Sequence, residues 1–272
     1  MMQNLHTHTL FDDGKHSPDE MALGAVSSGC TSLGFSGHSP LPPACDGDAW
    51  AMNQGDVPLY RQAILSLREA YAGRLEIFLG LEQDLDSPLP EGNWDYLIGS
   101  AHSIWADGLY RSVDLSRDHT AETIRRHFGG DPYAYTSAYF RRLAEAATLF
   151  PGQIVGHLDL VTKFNEGCAM FDDTDRRYLA PAMEAAEVLA EKDLIFEINT
   201  GAMSRGYRTV PYPSPALLTF LREKGARICI TSDSHSADTV THAFDSARAL
   251  ARACGYRETQ RLTKHGFISQ PL

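Results

Sequence analysis

No apolar run in this 272-residue chain approaches the roughly 20 residues needed to cross a bilayer, which excludes a helical membrane span. The N-terminus has no basic segment followed by an apolar stretch, so no signal peptide is expected. Positive charge is scarce. Lys and Arg number 24 against 35 Asp and Glu, a net charge of -11. Such a surface repels a phosphate backbone at long range and lacks the basic track of a nucleic-acid binder, although one local basic pocket remains compatible with it. The five cysteines are odd in number, widely scattered and never in C-x-x-C spacing. Reduced thiols in a cytoplasmic protein are therefore expected. Linkers, internal repeats and low-complexity tracts are absent too. With 43% hydrophobic residues to build a core, residues 1–272 read as a single domain.

What is present is a rhythm. Short apolar runs recur: the opening segment, then 32–39, 75–84, 96–104, 153–161, 194–200 and 227–235. Their nearly continuous apolar character suits strands buried on both faces of a parallel sheet. Helical patterns alternate with them. Residues 17–29 begin with Ser17 as cap, Pro18 in the first turn and Glu20 three residues on. Residues 57–73 place Leu59, Ala63, Leu67 and Ala70 on one face. Further helices are expected over 135–150, 178–193, 214–225 and 237–255. The alternation argues for a parallel α/β fold, either a barrel or a doubly wound sheet. Residues 105–135 break the rhythm and read as a long excursion over one mouth.

Each expected strand ends in a His, Glu or Asp. In order these are His6 with His8, His38, Glu82, His102, His157, Glu197, and Asp233 with His235. Strand side chains alternate with period two, so His6 and His8 share a face, as do Asp233 and His235. In parallel α/β folds the C-terminal strand ends are where sites are built. A lone histidine there is more often a hydrogen-bonded structural residue. The recurrence at equivalent places argues instead for a metal site. Mixed imidazole and carboxylate donors suit Zn, Mn or Fe, and so many of them point to more than one ion. His16, His119, His127 and His265 fall outside the pattern and read as structural or exposed; His242, on a helix soon after residues 232–235 and within possible reach of the pocket, is given no role.

In this order, "HTHT", "DDG", "SGHSP", "GLEQD", "GSAHSI", "GHLDLV", "EINT" and "SDSH" resemble the polymerase and histidinol phosphatase (PHP) family of metallophosphoesterases, more narrowly its histidinol-phosphate phosphatase branch. The resemblance runs from His6 to His235. It implies a distorted seven-stranded (β/α)7 barrel, TIM-barrel-like, with a trinuclear metal centre at the C-terminal mouth; the cofactors expected here are two to three divalent ions, Zn, Mn or Fe. It implies that His6, His8, Glu82 and Asp233 hold one ion, that Glu82 bridges to a second completed by His102 and His157, and that Asp13, His38 and His235 hold a third. Asp13 takes this place because it directly precedes Gly14; Asp12 is given no role.

The implied reaction is hydrolysis of a small phosphomonoester, L-histidinol phosphate in histidine biosynthesis, by a metal-bridging hydroxide. Asp233, Glu82 and His235 are expected to act in catalysis, with Asp233 one candidate for the proton donor. Phosphate also needs cations, so Arg205 and then Lys163 are expected to bind substrate, with Arg208 a weaker candidate. Glu197 is expected at the substrate's amine or behind the metal ligands. The partner expected is a small molecule, neither nucleic acid nor membrane, with a homo-oligomer left open. Rival readings are a phosphatase for a nucleotide, sugar phosphate or phosphotyrosine, an amidohydrolase-type C–N hydrolase, a polymerase-associated module, and a metal-binding protein without activity.

Overall fold

The computed structural model describes residues 1–42, 45 and 50–272. Seven parallel strands form one sheet, ordered β1-β2-β3-β4-β7-β8-β9: β1 (Gln3–Asn4), β2 (Ser32–Phe35), β3 (Glu76–Asp84), β4 (Tyr96–Ser100), β7 (Ile154–Val155), β8 (Ile195–Asn199) and β9 (Arg227–Thr231). Between β4 and β7, β5 (Ser103–Ala106) and β6 (Leu109–Ser112) pair as an antiparallel ribbon, and the chain ends in another, β10 (Glu258–Thr263) with β11 (Gly266–Pro271). The sheet curls into a nearly closed barrel. Beyond the last residues of β1 and β9, His8 N donates to Ser234 O at 2.9 Å and Ser234 N to His6 O at 3.1 Å. The barrel thus closes at the level where the ligating residues begin.

Helices α1 (Pro18–Ser27), α2 (Val57–Ala70), α3 (Arg117–His127), α4 (Pro132–Ala146), α5 (Arg176–Ala190), α6 (Gly201–Ser204), α7 (Pro215–Glu223) and α8 (Phe244–Ala253) lie among the strands. The cap of α1 forms as expected: Ser17 Oγ accepts from Glu20 N while the Glu20 carboxylate accepts from Ser17 N. On α2 the face that carries Leu59 and Ala70 is not the most deeply buried one. Leu59 is 55% exposed, and Val57, Tyr60 and Ile64 turn inward instead. Tyr60 explains the rotation, because its hydroxyl accepts from Gly37 N and donates to Gly80 O on the barrel wall. No helix joins β3 to β4. Residues 85–95 cross over as a loop. No described helix is long and apolar enough to cross a membrane.

Two regions depart further from expectation. The run 96–104 splits, its second half entering the ribbon, and the excursion contains α3 as well as the β5–β6 pair. At the other end of the barrel, Leu262 of β10 joins Leu5, Phe78, Tyr96, Ile98, Ile154, Ile195 and Cys229 in the core. Gln3 fastens this ribbon by accepting from Leu262 N at 2.8 Å and donating to Leu262 O at 3.0 Å.

Period two decides what the barrel holds. Phe78, Gly80 and Glu82 alternate inward along β3, as do Ile195, Glu197 and Asn199 along β8. Each series starts apolar and ends polar. Tyr96 fills the middle, its hydroxyl 2.5 Å from Leu5 O, and only glycine fits opposite it. A Cβ on Gly80 would stand 2.3 Å from the Tyr96 ring, and one on Gly34 2.3 Å from its hydroxyl. The lower barrel is therefore a packed hydrophobic plug, and the polar layer lies at the C-terminal mouth.

Candidate metal centre

Glu82 occupies the middle of the mouth, fully buried. Its Oε2 lies 2.8 Å from His38 Nδ1, 3.1 Å from His6 Nε2 and 3.6 Å from His8 Nε2. Its Oε1 lies 2.9 Å from His157 Nε2 and 3.3 Å from His102 Nε2. Asp233 Oδ1 stands 3.2 Å from His8 Nε2 and 3.9 Å from His6 Nε2. Asp13 Oδ1 approaches His235 Nε2 at 3.0 Å and His38 Nε2 at 3.8 Å. All nine residues expected to ligate metal thus converge. The three separate ligand sets do not stay separate in space: His8 faces both the Asp233 and the Asp13 sides, and His38 lies near both Asp13 and Glu82. His157 approaches the cluster through Glu82.

The geometry is that of a metal cage. Buried His6 Nε2, His8 Nε2, His38 Nδ1 and Glu82 Oε2 make no well-directed hydrogen bond, although each nitrogen lies 2.8–3.6 Å from that oxygen. Two donors each about 2.1 Å from a shared ion stand roughly 3.0–3.4 Å apart for bond angles between octahedral and tetrahedral. Orphaned buried nitrogens at that spacing are costly unless a cation joins them. The donor set fits divalent ions.

Behind the cage stands a second tier that holds the rings. His6 Nδ1 donates to Glu197 Oε2 at 2.8 Å, His8 Nδ1 to Asp12 Oδ2 at 2.6 Å, and His102 Nδ1 to Asp84 Oδ2 at 3.2 Å. Each bond fixes the tautomer that leaves Nε2 free to ligate and raises its basicity. Of the two places expected for Glu197, its bonds favour the one behind the ligands. Its Oε2 also accepts from Thr231 Oγ1, and its Oε1 accepts from His157 N and Asn199 Nδ2. With every bond directed into the barrel wall, Glu197 orients His6 and does not face the substrate cavity. Asp12 and Asp84 are functional positions the sequence reading missed. The adjacent acids after H-x-H were the available signal for Asp12, and period two from Glu82 for Asp84.

A family model of the PHP domain matches residues 4–201. The chain belongs to the PHP family. Its PHP relatives include a probable histidinol-phosphatase of Deinococcus radiodurans, 31% identical over 264 residues that span 93% of each chain. A histidinol-phosphatase of Bacillus subtilis is 23% identical over 261 residues, covering 89% of this chain and 96% of that one. Among solved structures, a histidinol phosphate phosphatase of Lactococcus lactis, complexed with Zn, L-histidinol and phosphate, aligns with a TM-score of 0.70 over 98% of both chains at 20% identity. At that identity the likeness concerns the fold.

Electrostatically this PHP cluster holds itself together. Burial pulls His6 and His102 toward lower pKa, but Glu197 and then Glu82 beside His6, and Glu82 and Asp84 beside His102, lift both well above their ordinary value. His8 is pushed down by burial and up by Asp12 and Asp233, with a net rise to about 10. Burial works against ionisation of Glu82 and Asp233; imidazoles around Glu82, and Arg205 and His6 around Asp233, outweigh it and hold both carboxylates well below the usual range. His235 is depressed by burial, with His8 adding to it. An ion entering this site replaces protons.

Above the cluster lies a cavity of about 240 Å³. Trp50, Ser112, Asp114, Leu115, Leu160, Lys163, Arg205 and Tyr207 form its walls over Asp13, His38, His102, His157, Asp233 and His235. The excursion supplies Ser112, Asp114 and Leu115. Both expected cations are here. Arg205 Nη1 donates to Asp233 O at 2.9 Å and stands 2.8 Å from His235 Nδ1, while Nη2 bonds Asp233 Oδ2 at 3.1 Å. Lys163 Nζ donates to Asp114 O at 2.9 Å and lies over the Tyr207 ring at 5.2 Å. Arg208 is elsewhere, bonded to Thr162 O. A larger cavity of about 380 Å³ opens at the other end of the barrel, but no imidazole or carboxylate side chain lines it.

Proposed function

We propose that this PHP-family chain is a metal-dependent phosphomonoesterase that hydrolyses L-histidinol phosphate to L-histidinol and phosphate. The observation that carries the reading is a buried imidazole–carboxylate cluster at the floor of a small cavity with Arg205 and Lys163 on its walls. The names of the curated relatives, and the Zn, histidinol and phosphate held by the Lactococcus protein, support the same substrate. In this reading the enzyme is a phosphoric monoester hydrolase whose working unit is residues 1–272.

His6, His8, Asp13, His38, Glu82, His102, His157, Asp233 and His235 would hold two to three divalent ions. When bound, such ions supply Lewis-acid charge to phosphate oxygens and bring water into its nucleophilic range at neutral pH. The protein's part is to hold the geometry. Glu197, Asp12 and Asp84 lock three rings. Arg205, clamped on Asp233 and His235, keeps N–H groups in reserve for a phosphate oxygen, as does Lys163. Leu115, Leu160, Trp50 and Tyr207 narrow the cavity and limit water. Asp233 is suited to cation binding. Held ionised by Arg205 and His6, it is a poor donor to the leaving alkoxide.

The test is phosphate release by protein purified without chelator. L-histidinol phosphate is compared with a nucleotide, a sugar phosphate and p-nitrophenyl phosphate, and metal is quantified on the same sample. A strong preference for histidinol phosphate with two to three ions per chain is expected. Bound metal without that preference removes the substrate assignment, and protein unable to bind metal removes the ligand scheme.

A further inference from the structure

The metal cluster and the two cations account for a phosphate. They leave one charged group in the cavity without a task. Among the described residues that line it, three are acids. Asp13 and Asp233 belong to the groups of ligating atoms; Asp114 does not. It comes from the excursion, between the β5–β6 ribbon and α3. A carboxylate in a phosphate pocket repels the dianion, so for a simple phosphoester it is a handicap. It becomes an asset when the substrate itself carries a cation.

The bonds of Asp114 leave it room to act. Oδ1 accepts from Ser112 Oγ at 3.1 Å. Oδ2 lies 3.3 Å from Lys163 Nζ, whose shorter bond goes to the Asp114 carbonyl oxygen at 2.9 Å. A carboxylate has about four acceptor directions, so roughly half of its capacity stays open. The lysine is moored to backbone and can turn toward a phosphate without releasing the excursion. Trp50 and Tyr207 stand on the same walls, and the Tyr207 ring already has the Lys163 ammonium over it at 5.2 Å, the kind of contact aromatic rings make with cations.

We infer that Asp114 is the selectivity determinant of this pocket, accepting the ammonium group of the substrate, so that the enzyme prefers phosphomonoesters of amino alcohols over amine-free esters. The inference rests on the phosphatase reading above and sharpens it. With no ammonium in the pocket, Asp114 keeps only its bonds to Ser112 and Lys163 and opposes the incoming dianion, which disfavours amine-free esters.

The experiment compares L-histidinol phosphate with the same ester lacking the amino group, in the metal-loaded wild type and in Asp114→Asn, with p-nitrophenyl phosphate as a common reference. The wild type should favour the amine by about 10- to 100-fold in kcat/KM. In D114N that ratio should fall to within about 3-fold of unity, with the amine-free esters changed little or improved. Equal rates on both esters in the wild type overturn the inference, whatever D114N does. So does a D114N enzyme that loses all three substrates in parallel, the mark of a residue that only positions Lys163. Inhibition of the wild type by histidinol against its amine-free alcohol reads the same preference without any mutation. The parent reading fails separately: a wild type inert toward histidinol phosphate refutes it, and the selectivity claim is then read on phosphoethanolamine against ethyl phosphate.

Discussion

Replacing Asp12 by Asn changes one oxygen to an amide nitrogen and leaves the shape almost unaltered. Three donors converge on this carboxylate: His8 Nδ1 at 2.6 Å and His38 N at 2.9 Å on Oδ2, and Thr9 N at 2.8 Å on Oδ1. Asparagine has one acceptor oxygen for both sides. Turned toward His8 and His38, it sets its NH2 against Thr9 N, in a side chain with no exposed surface. An unsatisfied buried donor costs about 1–3 kcal/mol. For a chain of this size that is a fall in Tm of roughly 2–12 °C, taking about 2–4 °C per kcal/mol. The greater effect should be on metal. Losing the carboxylate behind a ligating imidazole typically costs about 10–100-fold in affinity. The assay is metal retained after dialysis against graded chelator, with kcat measured before and after adding metal back. The expected D12N enzyme is folded, loses metal at about 10–100-fold lower chelator concentration, and recovers most activity when metal is restored. A folded D12N that keeps wild-type metal affinity would show that the His8–Asp12 bond does not tune the site.

Three further predictions follow from the same geometry. Glu197→Gln should lower kcat and metal content while leaving KM for histidinol phosphate within about 3-fold, because Glu197 orients His6 and lies outside the cavity; a selective rise in KM would restore it to substrate binding. Gly80→Ala should cost about 1–3 kcal/mol, since its Cβ meets the Tyr96 ring in a packed interior; denaturant unfolding measures this, and an unchanged midpoint would contradict the barrel packing. In chelator-treated protein His8 is raised from 6.5 to about 10, so its stabilising contribution is complete below pH 6.5 and lost as pH climbs through about 10. The Tm of that metal-free protein should fall over this window, and Zn binding at neutral pH should release protons, seen as calorimetric heats that depend on the buffer. A flat Tm together with no proton release would refute the charge arrangement.

Much of the architecture was legible because it rests on local rules. Buried parallel strands demand continuous apolar runs, α1 needs a cap, and period two puts His6 with His8 and Asp233 with His235 on a common face. Those rules hold whatever the rest of the chain does, so the order of strands and the residues at their ends could be read from the chain alone. The buried face of α2 could not. Its rotation follows from one long-range bond network, that of the Tyr60 hydroxyl with Gly37 and Gly80. The closing ribbon β10–β11 was equally hidden, because nothing local says that Leu262 will plug a barrel whose other walls lie up to some 250 residues away.

The site divides along the same line. The sequence by itself determined which residue types stand at the strand ends, and hence the kind of ion and chemistry they suit. Tertiary structure alone decided which carboxylate serves which ring: Asp12 behind His8, Asp84 behind His102, Glu197 behind His6 rather than facing the substrate. It alone brought Asp114 from the excursion to Lys163. Apart from the local His8–Asp12 pair, these pairings join residues 18 to 191 positions apart, and barrel closure sets their distances. A strand's alternation says only which way each side chain points; what it meets there is decided by the curvature that closes the sheet.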